Sequence, residues 1–188
     1  MTEEGVKVIL VGNAAVGKTS LVNSFLELPF DKDVLSTNMA SYQRKNVESS
    51  NGVQVRLDIW DTAGQEKFRA MLPIYFRAAS VALLCFDNST IDSIDDWYNT
   101  VIKATPNCDI FLVLTKNDMY DDKEERKLLQ IMMQKSDELK IQNYFSTSAK
   151  ENNGIDQIFK KAADVATTVI SAQTEPPRLI ENDKKKCC

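Results

Sequence analysis

The strongest restriction on the fold is a glycine-rich segment, residues 12–19, with the sequence Gly-Asn-Ala-Ala-Val-Gly-Lys-Thr. It fits the pattern G-x-x-x-x-G-K-[ST], follows a short apolar run that predicts a buried strand, Val6 to Val11, and precedes a helical stretch. In this context the glycines let consecutive backbone N–H groups point at phosphate oxygens, and the helix N-terminus adds its positive end. The segment therefore predicts a site for the phosphates of a nucleotide, with an ordinary glycine-containing turn as the alternative.

Two side chains of this segment have predicted roles. We expect Lys18 to reach the β- and γ-phosphates of the nucleotide and the Thr19 hydroxyl to bind Mg²⁺. The residues that we expect to contact the phosphates are Ala14, Ala15, Val16, Gly17, Lys18, Thr19 and Ser20. Taken alone, the motif indicates a nucleoside triphosphate but does not identify the base.

Strands and helices alternate along the chain. Apolar or alternating segments predict further strands over residues 43–47, 53–60, 81–86, 110–114 and 144–147. Helical patterns run from Leu21 to Pro29 and over residues 91–104, 123–140 and 154–172. Such alternation implies βαβ crossovers, so we predict an α/β fold with a mainly parallel sheet and a ligand site at the carboxyl ends of its strands. Residues 1–173 are expected to form one domain, followed by a flexible tail over residues 174–188.

Two polar segments follow the last two predicted strands and can identify the base. Asp118, in Thr115-Lys116-Asn117-Asp118, can accept hydrogen bonds from N1–H and N2–H₂ of guanine, whereas adenine offers no such pair of donors. A buried carboxylate left without these donors costs about 1–3 kcal/mol or more. Ala149 can donate its backbone N–H to guanine O6. Either segment alone could be a solvated loop. The predicted base-binding residues are Thr115, Lys116, Asp118, Ser148, Ala149 and Lys150.

A third polar segment, residues 61–66, follows the alternating strand and reads Asp-Thr-Ala-Gly-Gln-Glu. Asp61 can hold Mg²⁺ through a water molecule, and the Gly64 N–H can bond the γ-phosphate. Gln65 is the predicted catalytic residue, because an amide at this place can orient the attacking water. Loss of the γ-phosphate would release the segment, which predicts a switch between order and disorder.

Composition excludes several other classes of function. The chain has no histidine, which excludes Ser-His-Asp and Cys-His catalysis and histidine-ligated zinc. Its net charge of −4 argues against a general nucleic-acid-binding surface. The first ten residues lack the features of a signal peptide. No stretch approaches the roughly 20 apolar residues of a membrane-spanning helix, so we expect the body of the protein to fold in the cytosol.

Three segments together resemble the Rab branch of the Ras superfamily. Ile59 to Phe68 is similar to the Rab second switch, Tyr75 to Ala79 is similar to the segment that follows it, and Cys187-Cys188 is similar to the Rab ending. The likeness extends from about Val6 to Ala172. It implies a P-loop small GTPase fold, in which a six-stranded, mostly parallel mixed sheet is flanked by five helices.

The resemblance also assigns residues whose local sequence is uninformative. It places Phe30 edge-on to the guanine ring. It makes Thr37 the second protein ligand of Mg²⁺, although local sequence alone favours an ordinary polar loop residue. It further implies a partner-facing aromatic cluster of Tyr42, Trp60 and Tyr75. The strand alternation independently places Trp60 on the polar, outward face, where we expect it to be exposed.

Three departures from the Rab pattern bear on function. Ala14 stands where Rabs usually carry Ser, which bears on the rate of hydrolysis. Thr115 replaces the usual Asn of the guanine motif, although Rho-like members also carry Thr. Residues 38–41, Asn-Met-Ala-Ser, replace the familiar pattern after the switch threonine and leave the effectors unidentified. The stretch from Leu72 to Tyr75 is similar to endocytic Rabs.

Residues 184–188, three lysines and two cysteines, follow a polar segment broken by two prolines. In Rabs both cysteines are geranylgeranylated, so the resemblance implies lipidation of Cys187 and Cys188; an unmodified tail is the alternative. Two lipid chains anchor a protein firmly, and each nearby lysine adds about 1 kcal/mol on an anionic surface. We therefore expect the protein on the cytosolic face of a vesicle or endosome, cycling with the cytosol.

The sequence thus predicts a monomeric GTP/GDP switch in vesicle trafficking, with Mg²⁺ as cofactor and slow GTP hydrolysis. The resemblance implies an exchange factor, a GTPase-activating protein, a GDP-dissociation inhibitor and effectors as partners. Two alternatives stay open. One is an effector-binding module that holds GTP with little or no hydrolysis, and the other is a P-loop kinase or ATPase, which would need a different base-reading loop.

Overall fold

A computed structural model describes residues 5–32, 37, 40–62 and 72–174 of the chain. The strands in these ranges are β1 (Val6–Val11), β2 (Ser41–Glu48), β3 (Gln54–Asp61), β4 (Val81–Phe86), β5 (Asp109–Leu114) and β6 (Asn143–Ser146). The α-helices are α1 (Lys18–Phe25), α2 (Leu72–Phe76), α3 (Ile94–Ala104), α4 (Asp122–Leu139) and α5 (Ile155–Thr174). Short 3₁₀ turns, Ile91–Ser93 and Asn117–Met119, come before α3 and α4.

One sheet contains all six described strands, in the order β2-β3-β1-β4-β5-β6. Strand β2 pairs antiparallel with β3, and every other pair is parallel. The predicted α/β fold with a mostly parallel mixed sheet is therefore confirmed. Because β1, β3, β4, β5 and β6 run in one direction, the polar segments that follow them meet at one edge of the sheet.

The core lies in two layers, one on each face of the sheet. Side chains of α1 and α5 pack on one face, and side chains of α3 and α4, with Phe76 of α2, pack on the other. Strand β4 is buried along its whole length, as expected for a parallel strand covered on both faces. On the first face the rings of Phe25 and Phe159 stack with centroids 3.7 Å apart, which joins α1 to α5.

Besides shifts of one to three residues at element ends, the structure differs from the sequence prediction in three places. Helix α1 ends at Phe25, because Glu27 takes a left-handed φ of 61° and stops the helix before Pro29. Val53 lies outside β3 and is 49% exposed, so the buried face of that strand begins at Val55. No sequence pattern located helix α2, the fifth helix that the family resemblance implied, since five residues are too few to show helical periodicity.

Helix α4 begins with a capping box, which explains why a strongly charged segment forms a stable helix. The Asp121 side chain accepts hydrogen bonds from the backbone N–H groups of Lys123 and Glu124, and the Glu124 side chain accepts one from the Asp121 N–H. These contacts satisfy donors that have no partner inside the helix. Over the residues described, none of the helices combines the length and the apolar character needed to cross a membrane.

Candidate functional site

The predicted phosphate loop connects β1 to α1 and has the backbone geometry that its glycines allow. Gly12 has a φ of 136°, and a Cβ atom there would collide with the backbone carbonyl oxygen of Cys85 in the neighbouring strand β4. Gly17 has a φ of 99° at the start of α1, and no side chain caps this helix. The first turn of α1 therefore keeps N–H groups available for an anion.

Lys18 is held over the loop that contains it. Its ammonium group donates hydrogen bonds to the backbone carbonyls of Gly12 at 3.0 Å and Asn13 at 2.7 Å. The residue is only 5% exposed, and burial lowers the pKa of its ammonium group, an effect opposed by the nearby Asp61 carboxylate. The loop thus fixes one buried positive charge at the place where the sequence predicts phosphates.

The three predicted Mg²⁺ ligands come together beside this lysine. The Thr19 and Thr37 hydroxyl oxygens lie 2.7 Å apart, and the Thr19 hydroxyl donates to Oδ2 of Asp61 at 2.6 Å. Asp61 is the last residue of β3 and is 1% exposed. Burial raises the pKa of its carboxyl group, while the Thr19 hydroxyl and the Lys18 charge act to lower it.

The second carboxylate oxygen of Asp61 has a feature that fits a metal ion. This atom, Oδ1, is buried and has no hydrogen-bond partner among the residues that the structure describes. An isolated buried carboxylate oxygen is costly, and a hard cation that prefers oxygen ligands would satisfy it. With two hydroxyl oxygens nearby, the donor set suits Mg²⁺ or water molecules bound to it.

The two predicted base-reading segments also lie side by side. The Asn117 backbone N–H donates to the Thr147 carbonyl at 3.0 Å, and its side-chain amide donates to the Ser146 hydroxyl at 3.1 Å. Asp118 has a side chain only 7% exposed, and it accepts a 2.6 Å hydrogen bond from the Ser148 hydroxyl. These contacts hold the Asp118 carboxylate in one orientation at the pocket.

Two residues connect the base-reading segments to the phosphate loop. The Thr115 hydroxyl lies 2.6 Å from the Val16 carbonyl oxygen and 3.0 Å from that of Phe86. The Lys116 ammonium group donates to the Ala15 carbonyl and to Oδ2 of Asp87, each at 2.7 Å. The segment that would read the base and the loop that would hold the phosphates therefore form one connected structure.

A single pocket of about 370 Å³ joins these parts. That volume lies within the range of about 300–1,000 Å³ usual for small-molecule sites. The predicted residues that line it are Ala14, Ala15, Gly17, Lys18, Thr19, Ser20, Phe30, Thr37, Thr115, Lys116, Asp118, Ala149 and Lys150. Phe30 is 48% exposed at its rim, with an aromatic ring available to a flat base.

Comparison with known proteins agrees with this geometry. The Ras family model matches residues 7–168 of the chain. The chain is 34% identical over 162 residues to the Ras-related protein Rab-5B of Plasmodium falciparum, covering 84% of this chain and 76% of that protein. It is 36% identical over 156 residues to mouse Rab-21, covering 81% and 69%, and 34% identical over 168 residues to human Rab-30, covering 88% and 80%.

The chain is a Rab-type small GTPase of the Ras family. In this small GTPase, two predicted nucleotide ligands lie behind the pocket instead of lining it. The Val16 side chain is fully buried in the core, and Ser148 is fully buried while it holds Asp118. Neither side chain therefore lines the pocket, and the Ser148 hydroxyl instead positions the Asp118 carboxylate. Gly64 and Gln65 lie outside the described residues, as do Cys187 and Cys188.

The predicted aromatic cluster of this GTPase forms, but one expectation about it is wrong. The Trp60 ring lies 5.3 Å from that of Tyr42 and 6.0 Å from that of Tyr75, measured between centroids. Tyr42 is 42% exposed, whereas Trp60 is half-buried rather than exposed. The outward face of β3 is partly covered by the unpredicted helix α2 and by Lys7, whose ammonium group lies 4.9 Å from the Trp60 ring centroid.

The structure also adds residues that sequence reasoning missed. Asp87 follows β4 at the same edge of the sheet and pairs with Lys116. Burial opposes ionisation of Asp87, but hydrogen bonds from Lys116 and Ser89 outweigh it and lower the pKa of the carboxyl group. Its position directly after an apolar strand was the signal that could have identified it. Sequence reasoning also missed the hydrogen-bonded pair of Trp97 and Asn13.

Proposed function

We propose that this small GTPase is a slow, Mg²⁺-dependent switch that recruits effectors to an endomembrane surface during vesicle traffic. The observation that carries the proposal is one pocket with Asp118 at one end and Lys18 beside Thr19, Thr37 and Asp61 at the other. A carboxylate suits the two donors on guanine, and a cation among hydroxyls suits a triphosphate. The pocket thus has the chemistry for the two ends of GTP.

Each polar group of the phosphate end has a proposed role in this account. Lys18 binds the β- and γ-phosphates, and the Thr19 and Thr37 hydroxyls with Asp61 hold Mg²⁺, which neutralises charge that develops on the phosphates. Gln65 orients the attacking water, and the Gly64 N–H bonds the γ-phosphate. In this proposal Thr37 and Gln65 are held through the γ-phosphate and Mg²⁺, so loss of the γ-phosphate frees the segments that contain them. That change is what an effector at Tyr42, Trp60 and Tyr75 would detect.

Slow turnover is expected because the proposed catalytic set is small. A positioned water and a bound cation give a weak GTPase, and an activating protein that supplies an arginine accelerates such domains by about 10³–10⁵-fold. Ala14 is a small side chain in the phosphate loop, so we propose that hydrolysis is retained. We propose that GDP release and GTP loading also depend on an exchange factor, and membrane extraction on a GDP-dissociation inhibitor.

Replacing Gln65 with leucine tests the hydrolytic step. We expect single-turnover GTP hydrolysis to slow by roughly 100-fold while the affinity for GTP stays the same, because only the orientation of the water is lost. Gln134, on the exposed side of α4, provides the control, and Gln134→Leu should hydrolyse GTP at the wild-type rate. Equal rates in the Gln65→Leu and wild-type proteins would reject the assignment, and negligible hydrolysis by both would favour a GTP-holding module.

We propose that lipid groups on Cys187 and Cys188 attach the protein to its membrane. Changing both cysteines to serine should move a fluorescent fusion from endomembranes to the cytosol, because the affinity of each lipid chain scales with its buried CH₂ groups, at about 0.8 kcal/mol each.

Changing the core cysteine Cys85 to serine is unsuitable as a control, since that thiol is fully buried. Changing Lys123 and Lys127 of α4 to serine alters two polar residues at no proposed site and should leave the distribution unchanged. Persistent membrane signal without the two cysteines would contradict the proposal.

A further inference from the structure

A buried tryptophan of α3 is hydrogen-bonded to the phosphate loop. The indole N–H of Trp97 donates to Oδ1 of Asn13 at 2.6 Å, across 84 residues of sequence. An indole nitrogen can only donate, so the amide of Asn13 must present its oxygen to it. Trp97 is 1% exposed and packs in the core between the sheet and the helices α3 and α4. The donor is therefore fixed by core packing.

Asn13 is also one of the two residues that hold Lys18. Its backbone carbonyl accepts a 2.7 Å hydrogen bond from the Lys18 ammonium group, the shorter of the two that this group makes to the loop. A single residue thus accepts one hydrogen bond from the core through its side chain and one from the phosphate-binding lysine through its backbone. A change in the backbone conformation of Asn13 would disturb both contacts.

We propose that Trp97 is a positioning residue for nucleotide binding, which acts by fixing Asn13 and, through the Asn13 carbonyl, the ammonium group of Lys18. This inference rests on the proposed role of Lys18 at the phosphates. The second half of the loop is already anchored, by the buried Val16 side chain and by hydrogen bonds from Lys116 and Thr115 to the loop carbonyls. In the first half, the Asn13 side chain is held by the hydrogen bond from Trp97. A hydrogen bond to a rigid indole restrains the loop before a nucleotide binds, so the loop loses less conformational entropy on binding.

The competing explanation is that Trp97 matters only as a large side chain in the core. Trp97→Phe removes the N–H donor and keeps an aromatic ring, and Asn13→Ala removes the acceptor from the loop without changing the core. If the hydrogen bond acts on the lysine, either change alone should have the full effect, and the two together should add little. If Trp97 acts by packing alone, Asn13→Ala should have no effect.

The test is the rate at which a fluorescent GDP analogue dissociates from the full-length protein in excess unlabelled GDP. We expect Trp97→Phe and Asn13→Ala each to release the nucleotide roughly five- to tenfold faster than wild type, and the double variant to match the singles. Val101, fully buried one turn further along α3, supplies the packing control. Val101→Ala should lower the thermal unfolding midpoint and leave the dissociation rate unchanged.

The inference is overturned if Asn13→Ala releases GDP at the wild-type rate, or if the two single effects multiply in the double variant. Because Asn13 lies in a loop outside the core, a wild-type release rate in Asn13→Ala overturns the inference even if Trp97→Phe folds poorly. Measuring Lys18→Met in parallel separates two failures. If Lys18→Met still binds GDP tightly, the proposed function itself is rejected. If Lys18→Met loses most of its affinity for GDP while Asn13→Ala keeps the wild-type affinity, only the role of Trp97 is rejected.

Discussion

Replacing Asp118 with asparagine is expected to weaken GDP binding by roughly 100-fold or more. The asparagine amide keeps one acceptor but turns a donor toward the N2 amino group of guanine, so two donors face each other in a site whose carboxylate is 7% exposed. The loss is large because the wild-type bonds are made by a charged group. Affinity is measured by titrating fluorescent GDP into the nucleotide-free protein, with ADP as the comparison for wild type.

Xanthosine diphosphate separates altered recognition from simple damage to the fold. Xanthine carries an oxygen where guanine carries the N2 amino group, so the Asp118→Asn amide can donate to it while still accepting from N1–H. We expect this variant to bind the xanthine nucleotide more tightly than GDP, reversing the wild-type order. Asp121→Asn, three residues later at the start of α4, should keep the wild-type order, because an asparagine side chain still caps that helix. An Asp118→Asn protein that still preferred guanine would show that this carboxylate does not read the base.

Replacing Lys18 with methionine should weaken binding of GDP and GTP by roughly 1,000-fold. The change removes the buried ammonium group that we assign to the phosphates, and hydrogen bonds to charged groups are worth about 1.5–3 kcal/mol each. Methionine is unbranched and apolar, so it can occupy the same buried space. The loss should be greater for GTP than for GDP, since Lys18 is assigned to the γ-phosphate as well as the β-phosphate. Dissociation constants for both nucleotides measure it.

Lys7, a partly buried lysine away from the pocket, gives a control for the Lys18 variant. Lys7 lies over the Trp60 ring at the far end of β1 and donates to the Arg77 carbonyl, and burial lowers the pKa of its ammonium group as it does for Lys18. Lys7→Met should therefore cost some stability but leave nucleotide affinity unchanged. Equal affinities for Lys18→Met and Lys7→Met would show that the Lys18 ammonium group is not needed for phosphate binding.

The fold and much of the pocket followed from the sequence because both depend on local patterns. The phosphate loop has a fixed spacing of glycine, lysine and threonine, and Asp61 and Asp118 follow predicted strands. Thr37 and Phe30 follow no strand and were assigned only from the family resemblance. Parallel strands end at one edge of a sheet, so Thr19, Asp61 and Asp118 could be assigned to one site before their contacts were known. The observed contact of Thr19 with Asp61 agrees with that reasoning, and its contact with Thr37 agrees with the family resemblance.

The features that could not be predicted depend on contacts between distant segments. Trp60 was expected on an exposed face because its strand alternates. Helix α2 partly covers that face, but a helix of five residues is too short to produce a periodic pattern in the sequence. The bond between Trp97 and Asn13 joins residues 84 positions apart, and a tryptophan at helical spacing with Ile94 and Val101 indicates only a core position. The sequence predicted Thr115 as a base ligand. Its hydroxyl also contacts the Val16 carbonyl, 99 positions away in sequence, and only the structure shows this contact.

In the proposed switch, a bound γ-phosphate orders two segments around the Mg²⁺ site, those that contain Thr37 and Gln65. Hydrogen–deuterium exchange of the full-length protein, loaded with Mg²⁺ and either GDP or a non-hydrolysable GTP analogue, measures this without any mutation. We predict slower exchange with the GTP analogue in peptides that contain Thr37 and Gln65, and equal exchange in both states in peptides from β4 and β5. Exchange at Thr37 and Gln65 that is the same with either nucleotide would contradict the account.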